Sequence, residues 1–182
     1  ALHEKVSNLT FLDPACGCGN FLVVAYRELR LLELDILDVL YPKDQHGLFD
    51  ISGMIKCHIG QFYGIELDEY ATHIARVAMW LTDHQMNMLC AERLGQTRPT
   101  VPLTESATII NANSLHTDWQ VTDYILGNPP FVGQSWRSEQ QQADVKAIMP
   151  SDGKFGKLDY VACWHIKASR MMKANPTTKT AF

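Results

Sequence analysis

The stretch Asp13-Pro14-Ala15-Cys16-Gly17-Cys18-Gly19-Asn20-Phe21-Leu22 decides the fold, because the residue pattern on its two sides has different periods. Before it, Asn8-Leu9-Thr10-Phe11-Leu12 reads as a short buried strand that stops at Asp13-Pro14, where proline cannot continue a ladder. After it, from Asn20 to Leu40, Phe21, Val24, Ala25, Leu29, Leu32 and Ile36 recur every three or four positions, which predicts an amphipathic helix with those residues as its core stripe. The stretch is therefore a strand-to-helix turn. A side chain at Gly17 or Gly19 would fill the crevice at the strand's carboxyl end, where open α/β sheets bind nucleotides. A dinucleotide turn fits poorly. Leu22 stands where the third glycine of G-x-G-x-x-G belongs, and the next candidate acid, Glu66, lies 49 residues after Gly17 rather than roughly 20.

Outward from this turn, Pro42 and Gly47 mark a loop and Gln61 to Ile65 a second strand. Asp68 can then cap a long helix with a core stripe of Ile74, Val77, Leu81 and Met88, stopped at Gly95. Beyond a proline-containing linker, Ala107–Ile110 and Val121–Leu126 supply two more strands. Residues 132–156 are polar and glycine-punctuated, which predicts a mobile loop with a little helix; Leu158–Met172 then predict a helix ending before Asn175-Pro176. Lys179-Thr180-Ala181-Phe182 reads as the beginning of a strand left incomplete. This alternation predicts an α/β fold, a mostly parallel sheet with helices on both faces, truncated at the C-terminal end. Residues 1–182 are expected to be one partial domain.

Composition narrows the class. Hydrophobic residues make up 46% and charged residues 20%, which excludes a disordered or disulfide-stapled chain. No apolar run is long enough to span a membrane, and the first ten residues carry no secretory pattern, so the expected location is cytoplasmic. The five scattered cysteines, Cys16, Cys18, Cys57, Cys90 and Cys163, fit reduced thiols. No metal is expected, since Cys16 and Cys18 have no second pair at zinc spacing and His73, His84, His116 and His165 are too dispersed. The net charge of −4 divides unevenly. Residues 1–136 carry 8 basic and 16 acidic side chains, residues 137–182 carry 8 and 4. That basic tail suits either phosphates or an ordinary solvated helix.

Two further motifs carry chemistry. Glu66, in Gly64-Ile65-Glu66-Leu67-Asp68, ends the second strand, where a carboxylate can accept two hydrogen bonds from ribose hydroxyls. Gly127-Asn128-Pro129-Pro130-Phe131 ends another. Two prolines push Asn128 toward extended backbone and hold its amide and the following carbonyls rigidly. Rigid acceptors suit an exocyclic amine. Acceptors at Asn128 and the Pro129 carbonyl would draw such an amine toward tetrahedral geometry, while Phe131 could stack on the ring.

On DPACGCGNF and NPPF together, the sequence resembles the S-adenosylmethionine-dependent N6-adenine DNA methyltransferases. On NPPFVGQS and KLDYVACWHIKASRMM it looks most like the MmeI-like methyltransferase regions of type II restriction-modification proteins. The resemblance runs from Leu9 to Phe182. It implies a Rossmann-like class I methyltransferase fold, with S-adenosylmethionine as cofactor and double-stranded DNA as the partner of the full-length protein. It also implies that Asp13, Ala15, Gly17 and Gly19 form the loop around the methionine portion, with Phe21 closing its side. Glu66 would hold the ribose hydroxyls, Leu67 would flank the adenine, and Asn128, Pro129, Pro130 and Phe131 would be the catalytic loop. Asn113 falls where many relatives place an aspartate against the cofactor adenine, and Cys18 where they place Ser or Thr. Asp159, Tyr160 and Trp164 resemble a helix packed behind the catalytic loop. Alternatives are a methyltransferase acting on RNA guanine or protein glutamine, and a non-catalytic cofactor-binding scaffold. No target-recognition domain is evident after Phe131, so the isolated segment is expected to be weakly active or inactive.

Overall fold

The computed structural model describes residues 2–41, 54–94, 106–149 and 157–182. The expected loop at Pro42 and Gly47, the helix stop at Gly95 and the proline linker before Ala107 lie outside the described residues. The described residues form, in chain order, α1 (Leu2–Ser7), β1 (Phe11–Asp13), α2 (Asn20–Leu40), β2 (Phe62–Glu66), α3 (Glu69–Leu94), β3 (Thr108–Asn111), β4 (Tyr124–Leu126), α4 (Glu139–Ile148), α5 (Ala162–Ala174) and β5 (Lys179–Ala181). The sheet order is β3-β2-β1-β4-β5, and every pairing is parallel. From β1 the chain builds outward through β2 to β3, then returns to β4 on the other side of β1. The crevice between β1 and β4 is thus the switch point, where α/β sheets hold ligands.

Alternation along each strand feeds two cores. Phe11 and Phe62 stack at 4.7 Å on the face covered by α2 and α3, with Leu22, Tyr26, Ala75, Met79 and Ile109. Leu12, Ile65 and Ile125 point the other way, onto Val145 and Ile148 of α4 and Cys163, Trp164 and Ala168 of α5. Helices therefore cover both faces, as the element order predicts. The first strand is shorter than expected because Asn8 and Leu9 still donate to the carbonyls of Lys5 and Val6, so the chain is leaving α1 there.

The cap at Asp68 is as expected: its Oδ1 accepts from the Ala71 amide at 2.9 Å. The core stripe of α3 is not, and that of α2 is only in part. In α3 the expected Ile74, Val77, Leu81 and Met88 are all exposed, and the buried face is Thr72, Ala75, Met79, Met86, Asn87 and Cys90. In α2, Leu29 is buried and Ala25 and Ile36 pack against the core as expected, but Phe21, Val24 and Leu32 are exposed while Arg30 and Glu33 are buried. The physical reason is a polar network between the helices. Arg30 donates to Tyr26 Oη at 2.7 Å, Asn87 Oδ1 at 3.0 Å and Asp83 Oδ1 at 3.2 Å, and Glu33 accepts from the amides of Lys56 and Cys57. Buried polar groups are tolerated when hydrogen-bonded, so the inner faces do not read as apolar.

The segment after Phe131 holds more helix than expected. Within 132–149 the chain makes a 3-10 turn, Gln134–Trp136, and then the ten-residue α4, held at its start by reciprocal Ser138 and Gln141 bonds. The basic tail is partly committed internally. Lys167 donates to the carbonyls of Ser114, Leu115 and Thr117, Arg170 to that of Ile148, and Arg137 is buried; none of these is a free phosphate ligand. Lys154 lies outside the described residues. Among the described residues no helix is long and apolar enough to cross a membrane.

Candidate active site

A cavity of about 800 Å³ opens at the carboxyl ends of four strands. Pro14 and Ala15 reach it from β1, Ile65, Glu66 and Leu67 from β2, Ala112, Asn113 and Ser114 from β3, and Asn128 and Pro130 from β4. The glycine-rich turn and the proline-stiffened loop therefore meet at one rim, although Asp13 and Asn128 are separated by most of the chain. Of the expected site residues, Ala15, Glu66, Leu67, Asn113, Asn128 and Pro130 line this space.

The others stand around it. Gly17 donates its amide to Glu66 Oε2 at 2.8 Å, and Glu66 Oε1 accepts from the Asp68 amide at 2.8 Å. Two backbone donors thus orient the Glu66 carboxylate, and each oxygen keeps a lone pair for another hydroxyl. Gly19 has φ +88°, and a Cβ there would sit 3.1 Å from the Ala75 Cβ, so its need for glycine comes from helix packing as well as backbone shape. Phe21 and Phe131 are exposed, at 48% and 70%, and Pro129 is buried; none of the three lines the cavity.

Asp13 is fully buried behind the rim. Its Oδ1 accepts from the Ala15 amide at 3.0 Å, while Oδ2 has no partner. Burial, opposed by that amide and reinforced by the Glu66 charge, pushes the carboxyl up to about 7. The sign of the linkage follows. The folded state holds the proton from about pH 4 to about 7, where the unfolded chain has lost it, so this group's contribution to stability is full below about pH 4 and is lost as pH rises through 7. Asp13→Asn is expected to flatten that decline, whose ceiling is about 4 kcal/mol. Urea unfolding of both proteins between pH 5 and 8 checks it, and parallel curves would refute it.

The loop Asn128–Phe131 is tied at both ends. The Gly127 amide donates to the Ala181 carbonyl at 3.2 Å, and the Val132 amide donates to Asp159 Oδ1 at 2.9 Å while the Val132 carbonyl accepts from the Tyr160 amide. Trp164 Nε1 donates to the Pro14 carbonyl and to Ser114 Oγ, joining the glycine-rich turn to the β3 exit. Asp159, Tyr160 and Trp164 are thus the framework behind the loop. Cys16 is buried, with its thiol pushed up to about 12 by burial and by the Asp13 and Glu66 charges, so it is no nucleophile. Among the described residues, no three His, Cys, Asp or Glu side chains converge as they would around a metal ion.

Sequence reasoning missed one wall. His116, Ser138, Gln140, Gln141 and Asp144 also line the cavity, and all but His116 belong to α4 or its cap. The S-x-x-Q signature at Ser138–Gln141 is the signal that would have found this helix.

The family model for the MmeI DNA-methyltransferase domain matches residues 1–182. DNA methyltransferase A of Bacillus subtilis (strain 168) is 33% identical over 172 residues, 90% of this chain and 19% of that protein. Among solved structures, the type IIL restriction-modification enzyme MmeI in complex with DNA matches with a TM-score of 0.91 at 43% identity, covering 98% of this chain and 24% of that one. The chain thus spans about a fifth to a quarter of the length of these relatives.

Proposed function

The chain belongs to the MmeI DNA-methyltransferase domain family, and from that membership we propose that the protein carrying it transfers a methyl group from S-adenosylmethionine to the N6 amine of an adenine in double-stranded DNA. A family of DNA methyltransferase domains gives no support to RNA guanine or protein glutamine as acceptor. The observation that carries the proposal is the shared cavity, with Glu66 and Asn113 on one side and Asn128 and Pro130 on the other.

The residues present fit the cofactor. A buried Asp13 carboxyl with an unpartnered oxygen is completed by a cation or donor, and the oriented Glu66 carboxylate by a pair of hydroxyls. Ile65, Leu67 and Pro130 supply apolar surface for a purine. When bound, S-adenosylmethionine supplies an electrophilic methyl on a sulfonium that is its own leaving group.

Everything else falls to the chain. Asn128 Oδ1 and the Pro129 carbonyl accept hydrogen bonds from the target amine, localising its lone pair, and the prolines keep those acceptors fixed while charge develops. Phe131, an exposed aromatic next to Pro130, stacks on the base withdrawn from the duplex. The loop's tethers to Ala181 and Asp159 hold the acceptor in place, and positioning of this kind can contribute roughly 7–11 kcal/mol in well-oriented reactions.

Two measurements test this. Duplex DNA incubated with the whole protein and S-adenosylmethionine, then digested to nucleosides, is expected to yield N6-methyladenine; another methylated base, or none, would overturn the assignment. Glu66→Ala is expected to weaken S-adenosylmethionine binding about tenfold or more by calorimetry, the loss of hydrogen bonds to a charged group. Unchanged affinity, or a wild-type preference for NAD, would displace the cofactor site.

A further inference from the structure

We propose that Asp144 is a positioning residue for the adenine of the cofactor, acting through Asn113. The inference rests on the reading of Asn113 given above. Asp144 lies inside α4, is 1% exposed, and accepts four side-chain hydrogen bonds. Tyr160 Oη donates to Oδ2 at 2.5 Å and Asn113 Nδ2 to the same oxygen at 3.3 Å; His116 Nε2 donates to Oδ1 at 2.7 Å and Gln140 Nε2 at 3.1 Å. All four donors line the cavity, and they come from the β3 exit, α4 and the turn before α5. One carboxylate therefore knits three segments into one wall.

Its effect on Asn113 is directional. Asn113 Oδ1 already accepts from the Leu115 amide at 3.0 Å, so with Nδ2 on Asp144 the amide has a single orientation. Rotating it by half a turn would set oxygen against the carboxylate and NH2 against the Leu115 N–H, losing both bonds. The side chain that faces the purine is thereby fixed with one N–H and one lone pair left over. Burial pushes the Asp144 carboxyl up, but its hydrogen bonds from Tyr160, His116, Gln140 and Asn113 outweigh that and leave it below the usual carboxylate range. The wall thus keeps a full negative charge at neutral pH, set one residue back from the neutral amide that meets the base.

The test is an acid–amide exchange in the whole protein, read by calorimetric titration with S-adenosylmethionine and by the thermal midpoint of each variant. Asn113→Ala and Asp144→Asn are each expected to weaken binding about tenfold or more, by loss of a hydrogen bond to a charged group. Asn113→Asp alone places two carboxylates side by side and is expected to weaken it as well. The exchange Asn113→Asp/Asp144→Asn restores one acid and one amide, and is expected to recover affinity to within about threefold of wild type, a coupling that single losses of packing do not produce. Normal binding by Asp144→Asn beside weakened binding by Asn113→Ala would overturn the role of Asp144 and leave the cofactor reading intact. Normal binding by Asn113→Ala would overturn the reading of Asn113 itself, and this inference with it. An exchange variant that fails to fold, or binds no better than Asn113→Asp alone, would also overturn the proposal.

Discussion

Replacing Asn128 by alanine is expected to lower methyl transfer to DNA by at least about 10²-fold to 10³-fold, the usual loss when one preorganised polar group facing developing charge is removed. The loss should fall on kcat. Asn128 lines the cavity from the β4 side, opposite Glu66, so the affinity for S-adenosylmethionine should stay near wild type. Asn128→Asp retains an acceptor oxygen at the same place and should lose less. Tritium incorporation from labelled cofactor into duplex DNA, measured on the whole protein beside calorimetry of cofactor binding, separates the two quantities. Equal incorporation by wild type and Asn128→Ala would end the catalytic assignment. A drop explained wholly by weaker cofactor binding would move Asn128 from the chemistry to the cofactor site.

Gly127→Ala is expected to be as damaging by a different route. Gly127 has φ +156°, backbone that side chains rarely adopt, at a cost of about 1–3 kcal/mol. A Cβ there would also stand 2.5 Å from Asp13 Oδ1 and 3.1 Å from its Cγ. Asp13 cannot yield easily, being fully buried and bound to the Ala15 amide. The sum should approach or exceed about 3 kcal/mol, enough to take most of a marginal domain's stability. The clash and the strain can be told apart. Gly127→Ala/Asp13→Ala removes the clash and keeps the strain, so its loss in urea unfolding should be smaller than the sum of the two single losses. Simple additivity would show that the contact with Asp13 is unimportant.

The fate of particular residues shows how much of this was legible in advance. Asn20 to Leu40 was readable end to end, because a strand-stopping proline and a glycine turn bound it on one side and the apolar spacing ran unbroken to its end. Glu66 and Asn128 were readable as strand-end residues from the same punctuation. The orientation of the helices was not. In α2 and α3 apolar residues occur around most of the circumference, and the inner faces carry Arg30 and Asn87, which pair across the two helices, and Glu33, which accepts from the Lys56 and Cys57 amides. A periodicity argument selects the more apolar stripe, which is exposed throughout in α3 and half exposed in α2. The α4 helix was hidden for a related reason: Glu139-Gln140-Gln141-Gln142 is polar, so its apolar residues Val145 and Ile148 stand out only once the cap at Ser138 is recognised.

The sequence alone was sufficient for the local events: where strands stop, where helices begin, which loop is glycine-rich and which is stiffened by proline. Those depend on neighbours within a few residues, through backbone sterics and capping. Only the tertiary structure decided what meets across the sheet. It set Asp13 against Gly127, joined Gly17 to Glu66, and gathered Asn113, His116, Gln140 and Tyr160 around Asp144. Such pairings depend on strand order and on which helix face is turned inward, and buried polar groups choose partners by geometry rather than by distance along the chain.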